Sequence, residues 1–309
     1  MDTSHKIVVI HDGGFHIDEL VAVATWYLVY INTTVKRSRK PQDWELADCM
    51  IDVGGEADMQ RNRFDHHQRG GAGSRPNGIP YASSGLLWKK FGSEACRSVL
   101  EEYFGIDFDF QSIADKIDED LISLIDGNDT GYSKAQTVFD CLRAFNEPWF
   151  VESPNHDYQF AEALAVAKQI LHNYIMSVGG DVYAEQRLKG FIAGQEGDEV
   201  VILNDFVPWS SKIQELAPLA KFVVFPDKAS GTWRVQGVPL EPGSFELKAR
   251  LPVAWGGLKR DGLVELTGCS SAIFCHPNGF IMGAGSMEDA VTCAFLALLK
   301  LGEPSVPQD

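Results

Sequence analysis

Apolar and polar positions follow one pattern in the first half of this 309-residue chain and another in the second. Residues 6–10, "KIVVI", form a short β-branched run ending at His11, which predicts a buried parallel strand. Residues 19–31 then place apolar side chains at helical spacing, with Asp18 as the expected N-cap. "ADCMIDVGG" (47–55) predicts a second buried strand, with Asp52 near its end and a glycine pair that permits a turn. "SSGLLWKKFG" (83–92) predicts a helix with serines at its start and glycine at its stop. Residues 94–104 and 112–126 carry further helical patterns, the second running into "LIDGNDTG". Strands alternating with helices imply an α/β domain with a largely parallel sheet and ligands at the carboxyl ends of its strands.

The pattern changes after a loop-like stretch at 145–157. From 158 to about 189 an alanine-rich helix is expected, interrupted at Gly179-Gly180 and able to connect domains. Beyond it, 199–205, 221–227, 232–240 and 271–283 read as strands separated by turn residues, and 287–300 as an amphipathic helix. A smaller α+β domain follows from that order. The expected division is a catalytic domain at 1–150, a helical connector at 151–190 and a substrate-binding domain at 191–309. Residues 303–309 are expected to form a frayed tail.

Composition narrows the function. At 45% hydrophobic residues the chain can bury two cores. No run approaches the ~20 apolar residues of a membrane helix, and the polar start has no secretory leader, so a cytoplasmic protein without membrane partners is expected. Six cysteines without C-x-x-C spacing suggest packed, reduced thiols. With 43 acidic against 27 basic residues, the net charge of −16 argues against diffuse attraction to a polyanion. Between 61 and 90 the balance reverses: Arg61, Arg63, Arg69, Arg75, Lys89 and Lys90 stand against Asp65 alone. This island is expected to face an anion.

The chemistry concentrates in the same half. His11-Asp12, His16-x-Asp18, Asp52, Asp65-His66-His67 and "IDGND" all fall at expected strand or helix ends. Two divalent metals ~3.5–4 Å apart require about this many imidazoles and carboxylates, including one carboxylate able to bridge. Mixed imidazole and carboxylate donors suit Mn²⁺, with Mg²⁺ the alternative. Ser83 and Ser84 have no histidine-acid relay beside them in sequence, and H-E-x-x-H is absent.

The order of these motifs resembles the DHH phosphoesterase superfamily and, more closely, the melanocyte-proliferating-gene (MYG) family of metal-dependent hydrolases and exonucleases. The resemblance rests on "HDGGFHIDE" (11–19), "DVGGEADMQRNRFDHHQRG" (52–70), "SSGLLWKKFG", "IDGNDTG" (125–131), "GSFELKARLPVAWGGL" (243–258) and "SAIFCHPNGFIMGAGSMEDAV" (271–291). It implies a DHH-like catalytic domain, a C-terminal α+β domain and an active site in the cleft between them.

It also implies roles. His11, His16 and Asp52 would hold one metal, and Asp18, Asp52, His66 and Asp126 the other, with Asp52 as bridge. Asp126 and Asp129 both fit the last position, with Asp126 preferred. His67 would sit near the scissile phosphate, Asp65 would orient an imidazole, and the arginines, Arg69 among them, would compensate substrate charge. In the second domain Arg250, His276, Asn278, Gly283 and Gly285 would contact substrate, the glycines as a loop offering N–H groups to phosphate. Trp233, Trp255, Phe274 and Phe280 are expected to pack in the core rather than stack on bases. The implied activity is 3′→5′ hydrolysis of RNA or short oligonucleotides by metal-activated water. The alternatives are a small-molecule phosphatase or pyrophosphatase, or a non-catalytic nucleotide-binding protein.

Overall fold

The computed structural model describes residues 4–105 and 108–301, so the expected tail at 303–309 lies outside the described residues. The chain forms two compact units, Met1–Gly180 and Asp181–Asp309. Among the described residues no helix is long and apolar enough to cross a membrane.

In the first unit β1 (Lys6–Ile10) leads to α1 (Ile17–Val29), β2 (Thr33–Arg37), the short α2 (Pro41–Trp44), β3 (Cys49–Ile51), β4 (Ala57–Asp58) and β5 (Arg63–Phe64). The strands form one sheet in the order β2-β1-β3-β5-β4. The first three pairings are parallel, and only the edge strand β4 runs antiparallel. The expected largely parallel sheet is therefore present, and it includes strands the hydrophobic pattern does not reveal. β2 alternates partly buried and exposed residues at an edge, while β4 and β5 have two residues each and are too short to show a period.

Helix α3 (Ser83–Phe104) packs on α1. Trp26 of α1, Phe91 of α3 and Phe64 of β5 meet edge to face, with the Phe91 centroid 5.4 Å from Trp26 and 6.2 Å from Phe64. Each buried ring of this kind contributes ~1.5–3 kcal/mol through removal of apolar surface from water, and together they fix β5 against both helices. Gly92 does not stop α3. It lies in mid-helix where a Cβ would come 2.8 Å from the Trp88 ring, and the helix ends instead at Gly105, φ 86°.

Next come α4 (Phe110–Ile117), a π-helical turn at Asp118–Ile122, α5 (Ser123–Asp129) and a 3₁₀ segment at Val138–Phe145. Helix α6 (His156–Ile192) runs through Gly179-Gly180 without interruption. At Gly179 the missing side chain admits Leu100, whose Cδ2 would lie 3.1 Å from a Cβ.

The second unit contains β6 (Val200–Ile202), α7 (Ile213–Leu216), β7 (Phe222–Asp227), β8 (Thr232–Gly237), α8 (Asp261–Thr267), β9 (Ala272–Cys275), β10 (Ile281–Ala284) and α9 (Met287–Leu301). Its mixed sheet has the order β6-β7-β8-β10-β9, with only β6 and β7 parallel. Alternation along β7 sends Phe222 and Val224 into a core with α9, and Val223 and Phe225 into a second core with Leu188 and Ile192 of α6. Trp255 is fully buried in the first core, and Trp233 packs against it.

Candidate metal centre

Three strands end at one place. His11 follows β1, Asp52 follows β3, and Asp65-His66-His67 follow β5, so parallel pairing brings all of them to one carboxyl edge. The first turn of α1 adds Asp18 and Glu19, with His16 at its N-cap. Asp18 is thus not the cap but lies inside the helix, where the N-terminal dipole favours a carboxylate.

Asp52 is the centre of the group. Its Oδ2 lies 3.4 Å from His11 Nε2 and 3.7 Å from His16 Nδ1, while its Oδ1 lies 3.3 Å from His66 Nε2 and 3.2 Å from His67 Nδ1. Each oxygen thus faces a different pair of imidazoles. The backbone there is left-handed, φ 55°, a conformation few residues other than glycine, asparagine and aspartate tolerate. Gly54 and Gly55, also at positive φ, complete the turn.

His66 Nε2 faces three carboxylates: Asp52, Asp129 Oδ2 at 3.3 Å and Asp18 Oδ2 at 3.7 Å. The acid that reaches it from α5 is therefore Asp129. Asp126 is turned away and fully engaged, its Oδ2 receiving Arg75 at 2.8 Å and its Oδ1 receiving the Ser84 hydroxyl and the Gly85 N–H. The preference for Asp126 is corrected on that ground.

These atoms converge at ion-pair distances but without hydrogen-bond geometry. His11 Nε2, His66 Nε2, Asp18 Oδ1, Asp52 Oδ2 and Glu19 Oε2 are all buried and make no hydrogen bond. Such a set is costly unless a cation occupies the space between the donors. Three overlapping groups have ligand atoms within 4.8 Å of one another: His11, His16 and Asp52; Asp52, His66 and His67; and His16, Asp18 and Asp129. The residues fit divalent cations. His11 is already prepared for that role, because its Nδ1 lies 2.9 Å from the Asp12 carbonyl, which holds the Nδ1–H and leaves Nε2 as the lone-pair nitrogen.

The charges are strained accordingly. Burial lowers the His11 pKa, yet Asp52 and Glu19 outweigh it and carry the imidazole up to about 10. Burial raises Asp52, but His11, His16 and His66 hold its carboxyl far below the usual range. Burial, reinforced by Asp52 and Asp129, pushes Asp18 well up.

Asp65 is buried beside this group. Its Oδ1 accepts from the His67 backbone N–H at 3.0 Å and lies 2.9 Å from His67 Nδ1, while its Oδ2 accepts from Gly55 N–H at 2.6 Å. Most of the basic island is engaged by groups of the chain itself and is not left open to a ligand anion. Arg61 pairs with Glu56, Arg63 donates to backbone carbonyls, and Lys90 donates to Met59 and Asn62. Arg75 is buried, bidentate to Asp118 at 2.6 and 2.7 Å, and stacked on Tyr81. Those cations hold the unit together. Arg69 is exposed and has no hydrogen bond or ion pair among the described residues.

Several contributors are not evident from sequence. Glu19 Oε2 stands 3.0 Å from His11 Nε2, and Oε1 accepts from His16 N–H. The N-terminus of α3 supports two carboxylates, with Ser83 N donating to Asp18 and its hydroxyl to Asp52 at 3.2 Å. A cavity of about 460 Å³ opens beside His11, His16, Asp52 and His67 and is also lined by Arg39 and Trp44. Another, of about 410 Å³, lies beside His66 against the loop Gly70–Gly73. Arg39 and Trp44 lie far from any histidine in sequence and carry no local signal, whereas the glycines at 70, 71 and 73 follow D-H-H after two residues.

In the second unit Gly283 does not belong to a loop. It sits in β10 between β8 and β9, where a Cβ would come 2.7 Å from Phe274. Gly285 N–H is taken by the Ser271 carbonyl at 2.8 Å. The expected offer of glycine N–H groups to phosphate is corrected: these two glycines serve packing and pairing. His276 Nδ1 accepts from Asn278 N–H, its ring lies 4.5 Å from Phe280, and Arg250 donates to the Asn278 carbonyl.

Comparison with known proteins agrees with the motifs. A family model described as "Uncharacterised protein family (UPF0160)", the MYG1 exonuclease model, matches residues 7–298. MYG1 exonuclease of Rattus norvegicus is 31% identical over 95% of this chain and 85% of its own length. MYG1 exonuclease of Homo sapiens is 28% identical over 94% and 85%, and the MYG1 protein of Dictyostelium discoideum 26% over 96% and 97%. The match runs through both units and every residue of the histidine-carboxylate group, and the chain belongs to the MYG1 exonuclease family.

Proposed function

We propose that this protein is a metal-dependent phosphodiester hydrolase that shortens RNA or short oligonucleotides from the 3′ end. The observation that carries the reading is Asp52, whose two oxygens face separate histidine pairs among buried donor atoms that lack hydrogen bonds. Relatives named MYG1 exonuclease support the nucleic-acid substrate. His11, His16 and Asp52 would hold one cation, and Asp18, Asp52, His66 and Asp129 the other. Manganese suits this donor set better than magnesium, which prefers oxygen ligands alone.

Bound there, the cations would supply an activated water and offset negative charge developing on the phosphoryl oxygens. The chain supplies the rest. Asp65 accepts the His67 Nδ1–H, so that the doubly protonated ring would present its Nε2–H to a phosphoryl oxygen or give that proton to the leaving oxygen. The Asp12 carbonyl keeps the His11 proton on Nδ1, which leaves Nε2 for the cation. Ser83 and the α3 N-terminus fix Asp18 and Asp52 from behind, so neither carboxylate reorients as charge develops.

The test is hydrolysis of a 5′-labelled single-stranded RNA with Mn²⁺ by wild type, Asp52→Asn and His66→Ala. A ladder shortening from the 3′ end, absent in both variants, is the expected outcome. Intact RNA with the metal-loaded wild type, or turnover of pyrophosphate instead, refutes it.

A further inference from the structure

A cavity of about 450 Å³ opens on the second unit, within the ~300–1,000 Å³ typical of small-ligand sites. Two phenylalanines line it, Phe245 and Phe280. Phe280 is half-buried, but Phe245 is 95% exposed. A ring so open gains almost nothing from the core, yet the turn that presents it is well held. Leu240 N–H donates to the Glu246 carbonyl at 2.8 Å, Ser244 N–H to Glu241 at 3.0 Å, and Pro239 bridges to Leu247.

Arg250 stands at the same cavity. Its guanidinium donates to the carbonyls of Asn278 at 2.9 Å and, more weakly, of Phe245 at 3.4 Å, and it pairs with no carboxylate among the described residues. No acid lines the cavity, although the chain carries a net charge of −16. The Gln236 side chain, also in the lining, makes no hydrogen bond among the described residues, so its donor and its acceptor are both open. Stacking faces, an amide edge and an oriented cation in one acid-free pocket are the chemistry that recognises a nucleotide. A bare anion would use Arg250 alone, and an apolar ligand would leave both polar groups unmet.

We infer that this cavity binds a nucleotide, its base stacked on Phe245 and Phe280, its edge read by Gln236 and its phosphate held by Arg250. The assignment of substrate class rests on the proposed action on nucleic acid, but the binding is testable without turnover. Calorimetric titration of the full chain with AMP in EDTA, with inorganic phosphate as competitor, is the experiment. Saturable binding is expected, weakened about tenfold or more in Phe245→Ala and in Arg250→Ala. Asp52→Asn is expected to bind AMP like wild type while losing RNA cleavage, so the two readings fail separately. The inference is overturned by absence of AMP binding, by wild-type affinity in both pocket variants, by phosphate competing as well as AMP does, or by loss of AMP binding in Asp52→Asn.

Discussion

Asp52 holds a left-handed backbone, φ 55°, and both of its oxygens face imidazoles. Asparagine tolerates that backbone and alanine does not, which makes Asp52→Asn the variant that removes charge without adding strain. Asp126 and Asp129 separate just as cleanly. Asp126→Asn leaves the buried Arg75 paired with Asp118 alone, and the loss of one charge-assisted hydrogen bond is expected to lower stability by ~1.5–3 kcal/mol in urea unfolding. Asp129→Asn is expected to weaken Mn²⁺ binding at least tenfold while the metal-free chain keeps its stability, because it relieves repulsion with Asp18. Equal behaviour of the two variants in both assays would contradict the assignment of Asp129 as the ligand. Sequence cannot choose between two acids three residues apart on one helix. The choice is made by Arg75, 51 positions away, which claims Asp126.

Among the elements, α3 departs most from its expected form. Sequence predicts a stop at Gly92, but that glycine and Gly85 serve close packing inside the helix. A Cβ at Gly85 would overlap the Asp126 carboxylate, so Gly85→Ala is expected to destabilise by ~1–3 kcal/mol despite the higher helix propensity of alanine. Gly180 of α6 is the opposite case, exposed in mid-helix, where an added Cβ would meet nothing within 4 Å. Gly180→Ala is expected to stabilise by ~0.5–1 kcal/mol. Thermal melts of both variants in the metal-free state check the pair. A rise in Tm in both variants would mean that the α3 N-terminus has room for a side chain beside Asp126.

For the molecule as a whole, stability is expected to depend on pH and on metal. The His11 pKa is raised from its ordinary 6.5 to about 10, so the protonated imidazole contributes stability that is fully present below pH 6.5 and lost as pH rises toward 10. Asp18 and Glu19, raised by burial, act in the same direction, while the depressed Asp52 loses its contribution only in acid. The Tm of the EDTA-treated protein is therefore expected to fall between pH 6.5 and 10. Metal binding displaces the protons from His11 and Asp18, so the rise in Tm with Mn²⁺ is expected to be larger at pH 8 than at pH 6. A metal-induced shift independent of pH would exclude this linkage.

By itself the sequence determined the strand-helix alternation of the first unit, the strand-rich second unit, and the residue types of the candidate metal centre. Those features follow from local periodicity and from motifs only a few residues long. Hydrophobic period places β1 and β3, and H-x-D and D-H-H carry their chemistry wherever the chain puts them. Only tertiary structure decided that β5, two residues long, pairs beside β3 and so brings His66 and His67 to Asp52. The same holds for the fate of the basic island. In sequence Arg75 belongs to an island expected to face an anion, but burial against Asp118 and Asp126 turns it into an internal brace. Glycine, too, has no local signal for its role: Gly283 reads as a loop residue and is a paired strand position because Phe274 occupies the space of its absent side chain. Charge and glycine acquire their function from what packs against them, and those neighbours come from distant parts of the chain.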